Sequence, residues 1–433
     1  MDIHVVRAGD TLVSIADEYG VSLSLLAADN QLPNPDRLVV GQTVVVRYPQ
    51  RTYVVQPGDT LLSVSRRSGL SVRELLRLNP ILRGDPAIFA GQTLVLADES
   101  DPSGSALVTG YAYPFVDKGL LQRTLPYISG LIPFTYGIRP DGTLVDLDDG
   151  QLIAAARQLG VTPVMHLSTL TEEGSFDNAL ANLVLNNEQV QATLISSILS
   201  TMRSKGYQAL DVDFEFVLAQ DAQAYAAFIT RLRQTLSPLG YPVIVALAPK
   251  TSADQRGLLY EGHNYRLLGE AADAVLLMTY EWGYTYGPPM AVAPLPNVRR
   301  VVEYALSEIP ANKILLGIPN YGYDWPLPFV QGTSKAASIS NQYAVTLASN
   351  NGVEIFYDSA AQAPFFRYRD AAGQEHEVWF EDARSIRAKL SLISRYSLLG
   401  AGYWNLMRPF PQNWLVLNSM FRIQNDLSGL AGA

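Results

Sequence analysis

Leu210-Asp211-Val212-Asp213-Phe214-Glu215-Phe216 is the stretch whose reading decides the fold. Apolar and acidic residues alternate along it, which is the period of a β-strand. Alternation puts Asp211, Asp213 and Glu215 on one face, with Cα atoms about 6.6 Å apart between successive acids. Outward from this run, strand-like segments alternate with helical patterns. The strand-like segments are 107–115, 130–137, 161–167, 209–217, 243–248, 274–280, 314–319 and 400–405. Eight such units predict an α/β fold, a (β/α)8 barrel over 106–433. Strands of a parallel sheet are normally apolar on both faces, so three acids in one of them are expensive to bury. Mutual repulsion is expected to raise at least one of their pKa values, leaving a proton near neutral pH. A retained proton on a carboxylate cluster is what an acid/base glycosidase needs. An exposed acidic edge strand is the bland alternative, and the flanking helical patterns argue against it.

The spacing loosens after the seventh strand. Residues 354–357, 365–368 and 378–380 read as antiparallel strands of a small α+β insertion near 336–380.

The chain has 433 residues, 48% hydrophobic and 17% charged, so it can bury substantial cores. Its net charge of −9 disfavours a nucleic-acid partner. With no cysteine there is no disulfide, thiol nucleophile or thiolate metal site. The four histidines are scattered, and His166 reads as a packed strand residue rather than a ligand. Neither a metal nor a cofactor is expected. No apolar run is long enough for a membrane span, and Met1–Arg7 lacks the basic-then-apolar pattern of an ordinary signal peptide.

The first hundred residues repeat. His4–Leu12 recurs as Tyr53–Leu61, and Gly41–Val46 recurs as Gly91–Leu96. Each unit reads strand, helix, helix, strand, with Asp10, Asp59, Ser22 and Ser71 as natural N-caps. Gly-Asp-Thr-Leu at the front and Gly-Gln-Thr at the back make 1–48 and 51–97 resemble LysM modules. The resemblance implies binding of peptidoglycan, chitin and other N-acetylglucosamine-containing glycans. Residues 98–105 are polar and rich in breakers, so they read as a linker separating the modules from the barrel. Two joined modules are expected to hold a repeating polymer with avidity.

Asp211-Val212-Asp213-Phe214-Glu215 resembles the last three acids of the Asp-x-x-Asp-x-Asp-x-Glu signature of glycoside hydrolase family 18. Gln208 stands where the first acid would be, which puts the holding of Asp211 in doubt. Met278-Thr279-Tyr280-Glu281 resembles the family's strand six, with Glu281 in place of aspartate; 317–322 resembles strand seven and 402–405 strand eight. Residues 248–255 and 282–289 are similar to bacillus-type spore peptidoglycan hydrolases, N-acetylglucosaminidases of spore cortex that lack ordinary signal peptides.

Spacing alone leaves a carboxylate nucleophile open. The resemblance implies substrate assistance, in which the substrate's acetamide oxygen attacks the anomeric carbon. Glu215 is then the acid/base, Asp213 orients the acetamide, Asp211 tunes Asp213, and Tyr280 donates to the acetamide oxygen. Trp404 would floor the sugar, and Met278, Tyr321, Tyr111, Phe134 and Glu281 complete the expected substrate-binding set. The leading expectation is a monomeric, spore-associated or cell-wall retaining N-acetylglucosaminidase of peptidoglycan. Chitinase and a catalytically silent glycan-binding protein remain the rivals.

Overall fold

A computed structural model describes residues 1–99, 102, 104–170 and 176–430. In the first module, Asp2–Val5 pairs antiparallel with Thr43–Val46, and helices Leu12–Tyr19 and Leu23–Asn30 lie between them. The second module repeats this with Pro49–Val54, Leu61–Ser68, Val72–Leu78 and Thr93–Asp98. Ser22 and Ser71 cap their helices as expected. The first helices instead start one residue later than expected. Thr11 and Thr60 are the caps, each in a reciprocal capping box with Ser14 or Ser63. Asp10 and Asp59 accept from the backbone N–H of Arg7 and Gln56, closing the turn before the helix.

The modules do not hang apart from the barrel. Arg47 is buried and donates to Asp29 Oδ1 and Oδ2 at 2.7 Å and to Asp98 Oδ2 at 2.9 Å, tying module one to module two. Module one meets the rest of the chain through Gln412, whose amide donates to Asn30 Oδ1 at 2.9 Å and the Thr43 carbonyl at 2.7 Å. The Ile355 N–H reaches the Val40 carbonyl at 2.9 Å. Gly41, at φ 86°, sits so close that a Cβ there would lie 1.8 Å from the Ile355 carbonyl oxygen. Module two inserts Arg73, which donates to the carbonyls of Asn425 at 2.7 Å, Gly160 at 3.3 Å and Ile128. Of the polar run 98–105, residues 100, 101 and 103 lie outside the described residues. The expected separation fails because buried polar contacts bridge module and barrel.

Eight parallel strands form the barrel: Ser105–Ala112, Gly130–Pro133, Thr162–Ser168, Ala209–Asp213, Val243–Leu247, Ala274–Leu277, Ile314–Pro319 and Gly400–Trp404. Pairing of the last strand with the first, Gly400 opposite Leu107, closes it. Leu107, Ile132, Val164, Ala209, Ile244, Ala274, Leu276 and Leu315 fill the lumen. A larger apolar shell, including Leu210, Val212 and Phe214, packs between strands and helices.

Between strands seven and eight lies a five-stranded antiparallel sheet, ordered Ala337–Ile339, Gly322–Leu327, Glu375–Trp379, Ala363–Arg369, Phe356–Asp358, with helix Asn341–Asn351. It begins at Gly322, earlier than the 336 expected. Tyr323-Asp324-Trp325 alternates against Glu377-Val378-Trp379, so the chain turns directly from the seventh barrel strand into this sheet. Trp325 is fully buried and donates to the Gly287 carbonyl at 2.8 Å, which anchors that turn.

Candidate active site

Leu210 and Val212 point to the outer shell while Ala209 points to the lumen. The alternation therefore aims Asp211 and Asp213 into the barrel, where both are buried. The strand ends at Asp213. Glu215 lies beyond it in a turn, not on a continuing strand face as the alternation predicts. Phe216 adopts φ 56°, a left-handed conformation that costs about 1–3 kcal/mol and re-aims the chain after Glu215.

His263 holds this turn from behind. The Ala248 N–H donates to its Nδ1 at 3.0 Å, so Nε2 carries the proton and donates to the Phe214 carbonyl, also at 3.0 Å. Burial holds the imidazole below its usual range.

Burial pushes the Asp211 carboxyl up to about 6; the Asp213 charge adds to this, while His166 and a 2.8 Å hydrogen bond from the Tyr111 hydroxyl oppose it. Burial likewise pushes Glu215 up to about 8, with Asp213 and Glu281 as further contributions. Desolvation leads in both, ahead of the mutual repulsion expected from the sequence. Tyr280 is buried at the field of Asp213, Glu215 and Asp211. Glu281 sits at φ 67° and accepts from the hydroxyls of Tyr321 and Tyr323, the latter at 3.0 Å; burial raises its carboxyl too.

Trp404 closes one side, with ring centroids 5.4 Å from Tyr111 and 5.1 Å from Phe134. Met278 packs in the same cluster as Tyr280, Tyr321 and Trp404. All ten residues singled out from the sequence thus gather at one end of the barrel, with Tyr321 bonded to Glu281 and packed with Tyr280. His166 was missed. It lies opposite Asp211 in the strand register, with Nε2 3.5 Å from Asp211 Oδ2 and 3.7 Å from Asp213 Oδ2. The signal was available: Val164 and His166 alternate with Met165 and Leu167, so His166 shares the lumen face. His263 and Tyr323 had no such signal.

A buried carboxyl that keeps its proton near neutral pH, next to a second carboxylate and a donor hydroxyl, can protonate a leaving oxygen and then deprotonate water. Residues 165–408 match Glycosyl hydrolases family 18, and residues 4–47 and 53–97 each match the LysM domain. A cortical fragment-lytic enzyme of Bacillus subtilis (strain 168) is 42% identical over 427 residues, 98% of this chain and 99% of that protein. The crystal structure of the Bacillus megaterium QM B1551 spore cortex-lytic enzyme SleL matches with a TM-score of 0.83 at 38% identity, covering 98% of this chain and 99% of that one. A chitinase from Chromobacterium violaceum ATCC 12472 matches with a TM-score of 0.68 at 26% identity, over 73% of this chain and 98% of that one.

Proposed function

The chain belongs to the glycosyl hydrolases of family 18, with two LysM domains, and from that premise we propose that it is a retaining N-acetylglucosaminidase of spore-cortex peptidoglycan. The observation that carries the reading is the Glu215 carboxyl, pushed up to about 8 and set beside Asp213 and Tyr280. The cortex as substrate is supported by near full-length likeness to enzymes named for cortex lysis. That likeness also supports a spore-associated location. A monomeric state is part of the same proposal.

In this mechanism the substrate's acetamide carbonyl oxygen attacks the anomeric carbon as the glycosidic C–O bond breaks. Glu215 gives its proton to the leaving oxygen. Asp213 accepts from the acetamide N–H and balances the oxazolinium cation. Asp211, held by Tyr111, lies behind Asp213 and tunes it. Tyr280 donates to the acetamide oxygen, and Trp404 offers its face to the pyranose ring. Glu215 then takes a proton from water, which opens the ring from the original face and restores the configuration. Glu281 and Tyr321, with Met278 and Phe134, shape the remaining wall.

The test is mass spectrometry of products released from purified cortex, beside turnover of chitooligosaccharides. New N-acetylglucosamine reducing ends from cortex are expected. Cleavage of chitooligosaccharides alone would favour the chitinase reading, which the Chromobacterium likeness supports. Binding to both without any product would leave only a glycan-binding protein.

A further inference from the structure

The two histidines packed against the fourth strand solve the same problem differently. His263 has both ring nitrogens paired with backbone groups, as a purely structural buried histidine should. His166 does not. Its Nδ1 pairs with the Thr135 hydroxyl, which lies 3.0 Å from the Ser168 hydroxyl. Its Nε2 is fully buried and has no hydrogen-bond partner at bonding distance. Asp211 Oδ1 and Asp213 Oδ1 are buried and unpaired as well. Three buried polar atoms of these side chains therefore lack partners, with Nε2 3.5 Å from Asp211 Oδ2 and 3.7 Å from Asp213 Oδ2, and burial of such atoms is costly unless the groups serve one another. The ring cannot turn away, because the Tyr111 ring meets it edge-on at 5.4 Å and Phe134 lies at 4.8 Å.

Taking the proposed glycosidase reading as its basis, we propose that His166 is a positioning residue of the Asp211–Asp213 pair, presenting a shared Nε2–H to both carboxylates so that the pair can carry the charge the reaction requires. Two buried carboxylates side by side resist double ionisation. An imidazolium between them leaves one net negative charge on the group, and Asp213 can then stay ionised as the oxazolinium forms. The direction of the His166 effect on Asp211 agrees with this, since it opposes the upward push of burial. The groups facing the ring are Asp211 and Asp213 from strand four, Tyr111 from strand one, Phe134 and Thr135 after strand two, and Ser168 on its own strand. Glu215 and Tyr280 lie beyond Asp213.

The experiment uses the full chain, as wild type, His166→Gln and His166→Asn, with kcat and KM followed across pH on soluble cortex fragments. Loss of the imidazole removes the group that favours ionisation of the pair. The acid limb should therefore move up by about one pH unit, cutting kcat about tenfold on that limb. KM and the alkaline limb set by Glu215 should hardly change. A uniform loss with an unmoved acid limb, or no loss at all, would overturn the proposal. NMR of 15N-labelled imidazoles in the wild-type protein reads the same group without a substitution. A protonated His166 at the activity optimum is expected, and a neutral ring there refutes the role whatever becomes of the variants. Failure of the glycosidase reading looks different: wild type and Glu215→Gln would then be indistinguishable on these fragments.

Discussion

His263 donates its Nε2–H to the carbonyl of Phe214, one residue before Glu215, at 3.0 Å. The turn that carries the acid is thus held by a fully buried, neutral imidazole. His263→Phe keeps volume but strands two backbone groups, the Phe214 carbonyl and the Ala248 N–H. Unpaired buried groups cost about 1–3 kcal/mol each, so the variant should melt earlier. A loosened turn should lower kcat about tenfold to a hundredfold while KM and the alkaline limb stay in place. Calorimetry with steady-state kinetics checks both; native kcat in a destabilised variant would show that the turn is held by other contacts.

Glu215→Gln keeps shape and removes the proton. Turnover on cortex fragments should fall by at least about 10²–10⁴-fold, with the fold intact by circular dichroism. Near-native turnover would reassign the acid to Glu281 or Asp211.

The pH dependence follows from the same carboxyl. With Glu215 pushed up to about 8, kcat/KM should decline above that pH as the proton is lost. Stability carries the matching sign. The folded value exceeds the ordinary 4.5, so the folded state binds this proton more tightly than the unfolded chain does. That contribution is complete below about 4.5 and is lost as pH rises through about 8. Melting temperature in wild type should therefore drop across this window relative to Glu215→Gln; parallel curves would contradict the assignment.

Substrate assistance makes its own demand. A fragment whose sugar lacks the N-acetyl group should be inert, a thiazoline mimic of the oxazolinium should inhibit, and proton NMR should report the retained anomer first. An inverted product, or a glycosyl ester trapped on Asp213, would contradict this.

Arg73→Met in the full chain strands the carbonyls of Ile128, Gly160 and Asn425. A loss of about 1–3 kcal/mol per carbonyl should lower the melting temperature clearly. A 106–433 fragment should be less stable still. If that fragment melts at the temperature of the whole chain, the docking contributes nothing.

The sequence carries the barrel and its acids because both are local patterns: period-two alternation shows Asp211 and Asp213, and glycine-aspartate turns show the modules. The alternation places Glu215 on a strand, whereas it lies in the turn beyond, since nothing in Phe214-Glu215-Phe216 announces a left-handed Phe216. The histidines differ: His166 reads as a packed strand residue, and nothing in the sequence gives His263 a role. Alternation with Met165 and Leu167 puts His166 on the lumen face, but only the register with strand four shows that carboxylates lie opposite it, whereas His263 sits in the loop before helix Tyr265–Ala271 and belongs to no periodic pattern. Arg73 and Arg77 carry no signal of their burial in the sequence. Their acceptors are main-chain carbonyls a domain away, Ile128 and Pro126 among them, and a carbonyl has no signature in sequence.

Arg47 and Arg73 together deny the enzyme any slack. A flexible tether would let a catalytic body sweep the neighbourhood of one anchoring point, with linker length setting the local concentration of ends. Here the anchor and the cutting edge share one frame. A strand gripped by the modules meets Glu215 at a single offset, and the freedom to bring a bond to the acid has to reside in the glycan.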